Sequence, residues 1–200
     1  GDRWEMPYLP VDPQDIGCTY EAVIRVNSQS GKSSSAWLIE QNHGLKLPRA
    51  LQQDFSQHVQ QETDRHGKEM TQNALWQLFR TRYGLVATPH YALQSYRSDS
   101  QQDGQLRLTA SVATQGGTRQ LEGHGNGLLS AAAHGLSRWV NAPFLIKDYH
   151  EHTLGERSDS RSVAYIRCLF QDGSSRWGVG IDSDVARASL QALFNAVSRS

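Results

Sequence analysis

The 200-residue sequence has only two cysteines, Cys18 and Cys168, and no excess of charge of either sign. The cysteines are isolated, so they form neither a metal-binding spacing nor a disulfide framework, and they favour a reducing compartment. The 20 basic residues balance the 20 acidic residues, so the net charge does not attract the chain to nucleic acid or to an anionic membrane. We therefore expect no nucleic-acid partner.

Long hydrophobic runs are also missing. No apolar stretch approaches the roughly 20 residues that cross a bilayer, and no signal peptide is visible. Hydrophobic residues nevertheless make up 38% of the chain. Over this length, that content supports one large domain or two small domains with real cores. We expect a cytoplasmic protein with no membrane partner.

The first 40 residues predict an extended arm followed by a hairpin. Three prolines at positions 7 to 13 forbid a helix there and favour an extended arm. β-Branched residues at 20–26 predict a strand, a polar loop follows at 27–35, and residues 36–39 predict the second strand. Gly31-Lys-Ser33 is reminiscent of a phosphate loop, but that motif requires a glycine where Val26 stands, which excludes a nucleotide site of this kind.

The next segment predicts two helices. Leu51, Phe55 and Val59 recur at helical spacing in residues 49–60. A second helix is predicted at 71–79, with Thr71 or a neighbouring residue as its cap. Its buried face is predicted to contain Leu75, Leu78 and Phe79. We place a domain boundary near residue 86, so that a small mixed module spans residues 1–86 and a second domain spans residues 87–200.

The second domain shows an internal repeat. Gly123 and Gly178 are 55 positions apart, as are Gly125 and Gly180, and each pair leads into an apolar helix. Upstream, the alternating segment 106–112 corresponds to 164–170. Another strand is predicted at 88–96. We expect two copies of one strand, hairpin, strand and helix unit, with a core between the copies.

The glycine turn at residues 123–127 is a candidate ligand site. Three glycines alternate with other residues just before the Ala-rich run at 131–133, which predicts a strand that turns into a helix N-terminus. Unpaired amides and the positive end of the helix dipole meet there, and both favour a carboxylate or a phosphate. A tight turn that binds nothing is the alternative reading.

Motifs along nearly the whole chain, in the expected order, resemble the C-terminal part of 2-isopropylmalate synthase. They are the prolines and Tyr8 at 7–13, the segment 20–32, His43-Gly-Leu-Lys-Leu-Pro48, Asp54-Phe-Ser56, Gly123-His-Gly-Asn-Gly127, Asp148-Tyr-His-Glu-His152 and Trp177-Gly-Val-Gly180. The resemblance implies an α+β fold: a linker subdomain followed by a duplicated β-β-β-α regulatory domain with an internal pseudo-two-fold repeat. It also implies a homodimer that binds leucine as a feedback inhibitor of leucine biosynthesis.

The resemblance also shows what this sequence lacks. In that family, a metal-dependent TIM barrel condenses acetyl-CoA with 2-oxoisovalerate, and no barrel is present here. We therefore expect no cofactor in this chain, a divalent metal only in the missing barrel, and no condensation by this chain alone. Ser33, Ser34, Trp37 and Cys18 stand where the family commonly has two glycines, a tyrosine and an arginine. These departures fit either a diverged paralogue or a free-standing descendant.

The regulatory motif implies an effector site. By resemblance, its glycine turn, Leu129, Ile146 and Tyr149 would shape the pocket. The turn amides would bind the effector carboxylate, Asp148 would offer its carboxylate or carbonyl to the ammonium group, and Leu129 and Ile146 would line the side-chain pocket. Ordinary core packing is the alternative interpretation of Leu129 and of Ile146. The expected effector-binding residues are Gly125, Asn126, Gly127, Leu129, Ile146, Asp148, Tyr149, Thr153, Ser160 and Ser162.

Three hydroxyls modify that expectation. Thr153, Ser160 and Ser162 stand where the family tends to have small apolar residues. Each unpaired buried hydroxyl costs on the order of 1–3 kcal/mol in desolvation, so these residues favour leucine less than an apolar lining would. Leucine is the leading ligand, and a more polar small molecule is the alternative.

His150 and His152 would point to the same face of a strand, as two metal ligands do. No third ligand is evident in the sequence, so we expect no metal site and assign them structural hydrogen bonds.

Two further functional classes stay open. The chain is also compatible with a free-standing enzyme recruited from this scaffold for another small molecule, for which catalytic residues are unknown. It is equally compatible with a partner subunit that docks on a separate TIM-barrel protein through the proline-rich arm.

Overall fold

The computed structural model describes residues 34–67, 69–155 and 160–198. The predicted proline-rich arm and the predicted strand at 20–26 lie outside these residues. The described helices are α1 (Ser35–His43), α2 (Arg49–His66), α3 (Gln72–Tyr83), α4 (Leu128–Trp139) and α5 (Val185–Val197). The described strands are β1 (Ala92–Ser100), β2 (Leu106–Thr114), β3 (Gly117–Gly125), β4 (Phe144–Leu154), β5 (Arg161–Phe170) and β6 (Ser175–Asp182).

Helix α1 replaces the strand predicted at residues 36–39, so that prediction is wrong. The Oγ of Ser34 caps the helix by accepting a hydrogen bond from the Trp37 amide at 3.2 Å. Gly44 ends it with a φ of 74°, in the left-handed region that favours glycine. Leu38 and Ile39 are buried among the other helices. The two caps and this tertiary packing outweigh the strand preference of a four-residue apolar run.

Helices α2 and α3 confirm the two predicted helices. Leu51, Phe55 and Val59 are buried along α2, which runs six residues beyond the predicted end. Thr71 caps α3, because its Oγ1 accepts a hydrogen bond from the Ala74 amide at 3.0 Å. Leu75 and Phe79 are buried and Leu78 is half-buried. We refer to α1, α2 and α3 together as the helical module.

The remaining elements form the predicted duplicated unit. Strands β1, β2 and β3 make one antiparallel sheet and β4, β5 and β6 make another, and each sheet is followed by a helix. Leu108 pairs with Gly123 in the first copy, and Ile166 pairs with Gly178 in the second. This register confirms the predicted correspondence of 106–112 with 164–170. The strand expected at 88–96 begins later, at Ala92.

Helices α4 and α5 lie side by side between the two sheets. Helix α4 packs on β3 and β2 and also touches β4, while α5 packs on β6 and β5 and also touches β1. These reciprocal contacts give the two copies a pseudo-two-fold relationship. The core between the copies contains residues from both sheets and both helices, including Leu108, Leu121, Leu136, Ile166 and Phe194.

The second sheet is covered on both faces. Its outer face contributes Val163, Tyr165, Trp177 and Val179 to a second core. The helical module supplies the rest of that core, including Leu51, Phe55 and Phe79. The second sheet therefore connects the helical module with the α4 and α5 layer. Residue 86 falls in the connection between α3 and β1.

No helix among the described residues is long and apolar enough to cross a membrane.

Candidate functional site

The predicted glycine turn connects β3 to α4. The strand ends at Gly125 and the helix begins at Leu128. A Cβ on Gly125 would lie 2.6 Å from the amide nitrogen of Ala131, so the close approach of strand and helix requires glycine there. Gly127 is different, because its φ of −151° and ψ of −175° are open to any residue. A Cβ on Gly127 would meet no described atom within 4 Å, which leaves space in front of the helix.

The first turn of α4 has no side-chain cap. Gly127 is the N-cap residue and offers no acceptor to the helix amides. Ser130 Oγ accepts a hydrogen bond from the Gly127 amide at 3.0 Å. Within the described part of the chain, no side chain accepts a hydrogen bond from the amides of Leu128 and Leu129. These amides and the helix dipole together favour an anion at this end of α4.

The equivalent end of α5 is closed by carboxylates. Asp184 is the N-cap residue, and its Oδ1 accepts a hydrogen bond from the Ala186 amide at 3.0 Å. Asp182 Oδ2 accepts a hydrogen bond from the Asp184 amide at 2.9 Å. The hydroxyl of Tyr96 donates to Asp184 at 3.3 Å. The N-terminus of α5 is therefore capped by the Asp184 carboxylate, whereas the equivalent N-terminus of α4 has no carboxylate cap.

Strand β4 contacts α4, and its Ile146 packs against the core between the two repeats. Leu128 and Leu129 of α4 pack against the same core. The first turn of α4 therefore combines backbone amides without a side-chain cap with aliphatic side chains that border the same core as Ile146. It has the chemistry that a small apolar carboxylate requires.

Tyr149 follows Ile146 on the same face of β4. Tyr149 pairs with Ile166 and Ile146 pairs with Cys168, and opposite residues of an antiparallel pair share a face. The hydroxyl of Tyr149 donates to the Glu151 carboxylate and lies 2.8 Å from Ser189 Oγ on α5. Burial raises the pKa of Tyr149, and the hydrogen bond to Glu151 raises it further. The hydroxyl therefore stays protonated and fixes the ring against α5.

The Asp148 side chain lies on the other face of β4. Asp148 pairs with Arg167 across the sheet, after a register shift between Ile146 and Asp148. Its carboxylate forms an ion pair with Arg167, whose guanidinium lies 5.3 Å from the Trp177 ring centroid. The carboxylate is thus directed away from Ile146 and Tyr149 and already neutralises a cation.

The three hydroxyl residues lie at the far end of β4. Thr153 pairs with Ser162 on the face that Tyr149 occupies, and Ser160 immediately precedes β5 near Gly155. Asn126 is an exposed residue of the turn itself. Leu129 and Ile146 therefore border one core, whereas Asp148, Tyr149 and Thr153 are spaced along β4 and the two serines lie at the start of β5.

The two histidines of β4 have different environments. His150 is exposed, whereas His152 Nε2 lies 2.7 Å from the Tyr165 hydroxyl and 3.1 Å from the Lys46 amide. This agrees with the structural hydrogen bonding predicted for His152. Over residues 34–67, 69–155 and 160–198, no three His, Cys, Asp or Glu side chains are grouped to hold a metal ion.

Comparison with known families gives a direct assignment. Residues 69–200 match the LeuA allosteric (dimerisation) domain. That match covers more than half of the chain. The chain belongs to the LeuA allosteric (dimerisation) domain family. Residues 1–40 also match the post-catalytic domain-like family of alpha-isopropylmalate synthase, so the resemblance noted in the sequence is confirmed at both ends.

Curated relatives of this LeuA-family chain are 2-isopropylmalate synthases. The protein from Marinomonas sp. is 49% identical over 195 residues, which are 96% of this chain and 35% of the relative. The protein from Pseudomonas putida (strain GB-1) is 46% identical over 201 residues, which are 100% of this chain and 35% of the relative. The protein from Rhodospirillum rubrum is 43% identical over 198 residues, which are 98% of this chain and 36% of the relative. The chain thus spans about a third of their length.

Two residues of the candidate site were missed in the sequence. Glu151 shares the inner face of β4 with Tyr149, which the two-residue strand period could have indicated. Ser189 gave no signal, because a serine within an apolar helix is not distinctive until the helix is packed. Both residues orient Tyr149 in this LeuA-family domain.

Proposed function

We propose that this chain is the leucine-binding allosteric and dimerisation region of a 2-isopropylmalate synthase, and that it regulates leucine biosynthesis. The observation that carries the proposal is the contrast between the two helix ends. The N-terminus of α4 has no side-chain cap, whereas Asp184 closes the equivalent end of α5. One helix end in each chain is thus free to bind an effector carboxylate.

The proposed binding mode assigns each group of leucine to a different part of the site. The carboxylate accepts hydrogen bonds from the amides of Leu128 and Leu129, and Gly127 leaves room for it. The isobutyl group contacts Leu129 and Ile146. Since the Asp148 carboxylate is paired with Arg167, the Asp148 carbonyl is the partner we assign to the ammonium group. Tyr149 borders the site, held by Ser189.

The proposed assembly is a homodimer attached to a catalytic TIM barrel in the cytoplasm. The family description as a dimerisation domain supports the dimer, and the relatives' greater length supports the barrel. Acyl transfer and its divalent metal belong to that barrel, outside the residues of this chain. The two isolated cysteines favour the reducing cytoplasm.

Isothermal titration calorimetry tests the proposal directly. Leucine should bind saturably, with micromolar to low-millimolar affinity, while valine, isoleucine and 2-oxoisovalerate should bind more weakly. A chain that binds none of the four would contradict a leucine site and would favour a different ligand.

Two substitutions at Gly127 test the binding mode. Gly127→Asp adds to α4 the cap that α5 already has, in a backbone conformation and a space that accept it. We expect a gain of about 0.3 kcal/mol in the free energy of unfolding from capping, because glycine is itself a tolerable N-cap residue, and a loss of leucine affinity of at least about tenfold from like-charge repulsion. Gly127→Asn is the neutral control of similar shape and should bind leucine more tightly than Gly127→Asp. Equal affinities for both variants would argue against a carboxylate at this helix end.

A further inference from the structure

Strand β4 contacts different parts of the molecule through its two faces. Ile146 and Tyr149 face the helices α4 and α5. His152 lies on the opposite face, where its partner Val163 belongs to the core shared with the helical module. His152 Nε2 accepts a hydrogen bond from the backbone amide of Lys46 at 3.1 Å. One strand therefore touches both the candidate effector site and the segment 44–48 between α1 and α2.

Two donors compete for the acceptor on His152. Its Nδ1 lies 3.2 Å from the Thr153 carbonyl oxygen. Accepting from the Lys46 amide requires a lone pair on Nε2, so the ring proton is on Nδ1 and is donated to that carbonyl. The Tyr165 hydroxyl also lies 2.7 Å from Nε2. A neutral imidazole nitrogen has one lone pair, so the amide and the hydroxyl cannot both use it fully.

The competing donor, the hydroxyl of Tyr165, stays protonated. Tyr165 is fully buried, and burial raises its pKa, with a smaller contribution from the charge of Glu40. Its hydroxyl therefore keeps its proton and always has one to donate. In the structure both donors lie within hydrogen-bond distance of the same His152 nitrogen.

The Lys46 segment is embedded in the helical module. Leu45 and Leu47 are 1% and 6% exposed and belong to its core. Leu154 of β4 also contacts this segment, since a Cβ on Gly44 would lie 3.0 Å from Leu154 Cδ2. A shift of this end of β4 therefore changes contacts at the junction of α1 and α2.

We propose that the hydrogen bond from the Lys46 amide to His152 is the contact that communicates effector binding at β4 to the helical module. This inference rests on the proposed leucine site. A ligand between the turn before α4 and β4 contacts only the inner face of the strand and draws it towards α4. His152 then releases the Lys46 amide and takes Tyr165 as its donor. Coupling of two sites requires a contact of this kind, with two states that the ligand distinguishes.

Amide hydrogen exchange at Lys46, followed by NMR, measures this contact in the whole chain. Saturating leucine should accelerate exchange of the Lys46 amide by about fivefold or more, the lower end of typical allosteric couplings. The ¹⁵N spectrum of His152 should show a proton on Nδ1 in both states. Exchange at Lys46 that is unchanged or slower with leucine bound would overturn the inference.

Three variants separate coupling from general stability. His152→Phe keeps a ring but removes the acceptor, so Lys46 should exchange rapidly and should not respond to leucine. His152→Gln restores an acceptor and should recover part of the response. His150→Phe changes the exposed histidine two residues away and should behave like the unmodified chain. If His152→Phe fails to fold, His152→Gln with no leucine response at Lys46 would still overturn the inference.

Calorimetry on the same samples distinguishes the two proposals. If the unmodified chain does not bind leucine, the proposed function is wrong, and the coupling inference that rests on it is overturned as well. If all variants bind leucine and Lys46 exchange responds equally in each, the leucine site stands and the coupling role of His152 is wrong.

Discussion

Gly123 and Gly178 occupy equivalent positions in the two repeats, each on the strand that its own helix covers. A Cβ on Gly123 would lie within 3.0 Å of the Ala131 carbonyl, and a Cβ on Gly178 would meet the Ala192 carbonyl as closely. The backbone of each helix thus rests directly on the backbone of its strand. This contact explains why the 55-residue repeat is most visible at its glycines.

We expect Gly178→Ala to destabilise the chain. The added methyl would clash with backbone atoms of α5, which cannot move aside as a flexible side chain does, so the cost should be about 1–3 kcal/mol. Urea unfolding followed by circular dichroism measures it. Gly116→Ala is the control, because a Cβ there would meet no described atom within 4 Å. Equal losses in both variants would contradict the packing argument.

The fold was predictable from the sequence wherever a local signal agreed with the final packing. Thr71 caps α3 as expected, because its cap hydrogen bond reaches only three residues along the chain. The strand predicted at 36–39 was wrong because Leu38 and Ile39 acquire their environment from residues of α2 and α3, distant in sequence. A four-residue apolar run does not contain that information.

The candidate site was predictable only where one segment supplies it. The glycine turn was identified from one motif, and it leads from β3 into α4 as that motif predicts. The direction of Asp148 was not predictable, because a register shift between Ile146 and Asp148 decides which face its side chain occupies. The partner of Tyr149, Ser189, comes from a helix 40 residues away.

A double-mutant cycle on Tyr149 and Ser189 should show direct coupling. Their hydroxyl oxygens lie 2.8 Å apart, and Ser189 is 5% exposed. We expect Tyr149→Phe, Ser189→Ala and the double variant to give a coupling free energy of about 0.5–1.5 kcal/mol in urea unfolding. Pairing Tyr149→Phe with Ser183→Ala, an exposed serine before α5, should give additive effects. Additivity in the first cycle would show that the hydroxyl contact contributes nothing.

Cys168 should be chemically inert in the folded chain. It is fully buried, and burial raises the pKa of its thiol to about 12, so at pH 8 the nucleophilic thiolate is almost absent. In a Cys18→Ser background, iodoacetamide at pH 8 should modify Cys168 at least about a hundredfold more slowly in buffer than in denaturant, where the pKa returns towards about 8.5. Similar rates in the two conditions would contradict the burial of this thiol.

Asp54 should make the stability of the helical module depend on acid pH. Its Oδ2 accepts a hydrogen bond from the Tyr83 hydroxyl at 2.6 Å and lies 3.5 Å from His58 Nε2. Burial alone would raise the pKa of Asp54, but hydrogen bonds from His58 and Tyr83 and the charge of His58 outweigh burial and lower it. A pKa that is lower in the folded state than in the unfolded chain means that protonation favours unfolding.

The stabilisation from Asp54 should therefore be complete above its ordinary pKa, about 3.9, and should be lost as pH falls through the lower folded value. Thermal unfolding between pH 2.5 and 7 measures this dependence. Asp54→Asn should lower Tm at pH 6 and reduce the fall of Tm below pH 4, because the group no longer titrates. Asp64→Asn, at an exposed position of the same helix, should leave the pH profile nearly unchanged. An identical acid limb in Asp54→Asn and the unmodified chain would show that this carboxylate does not contribute to acid unfolding.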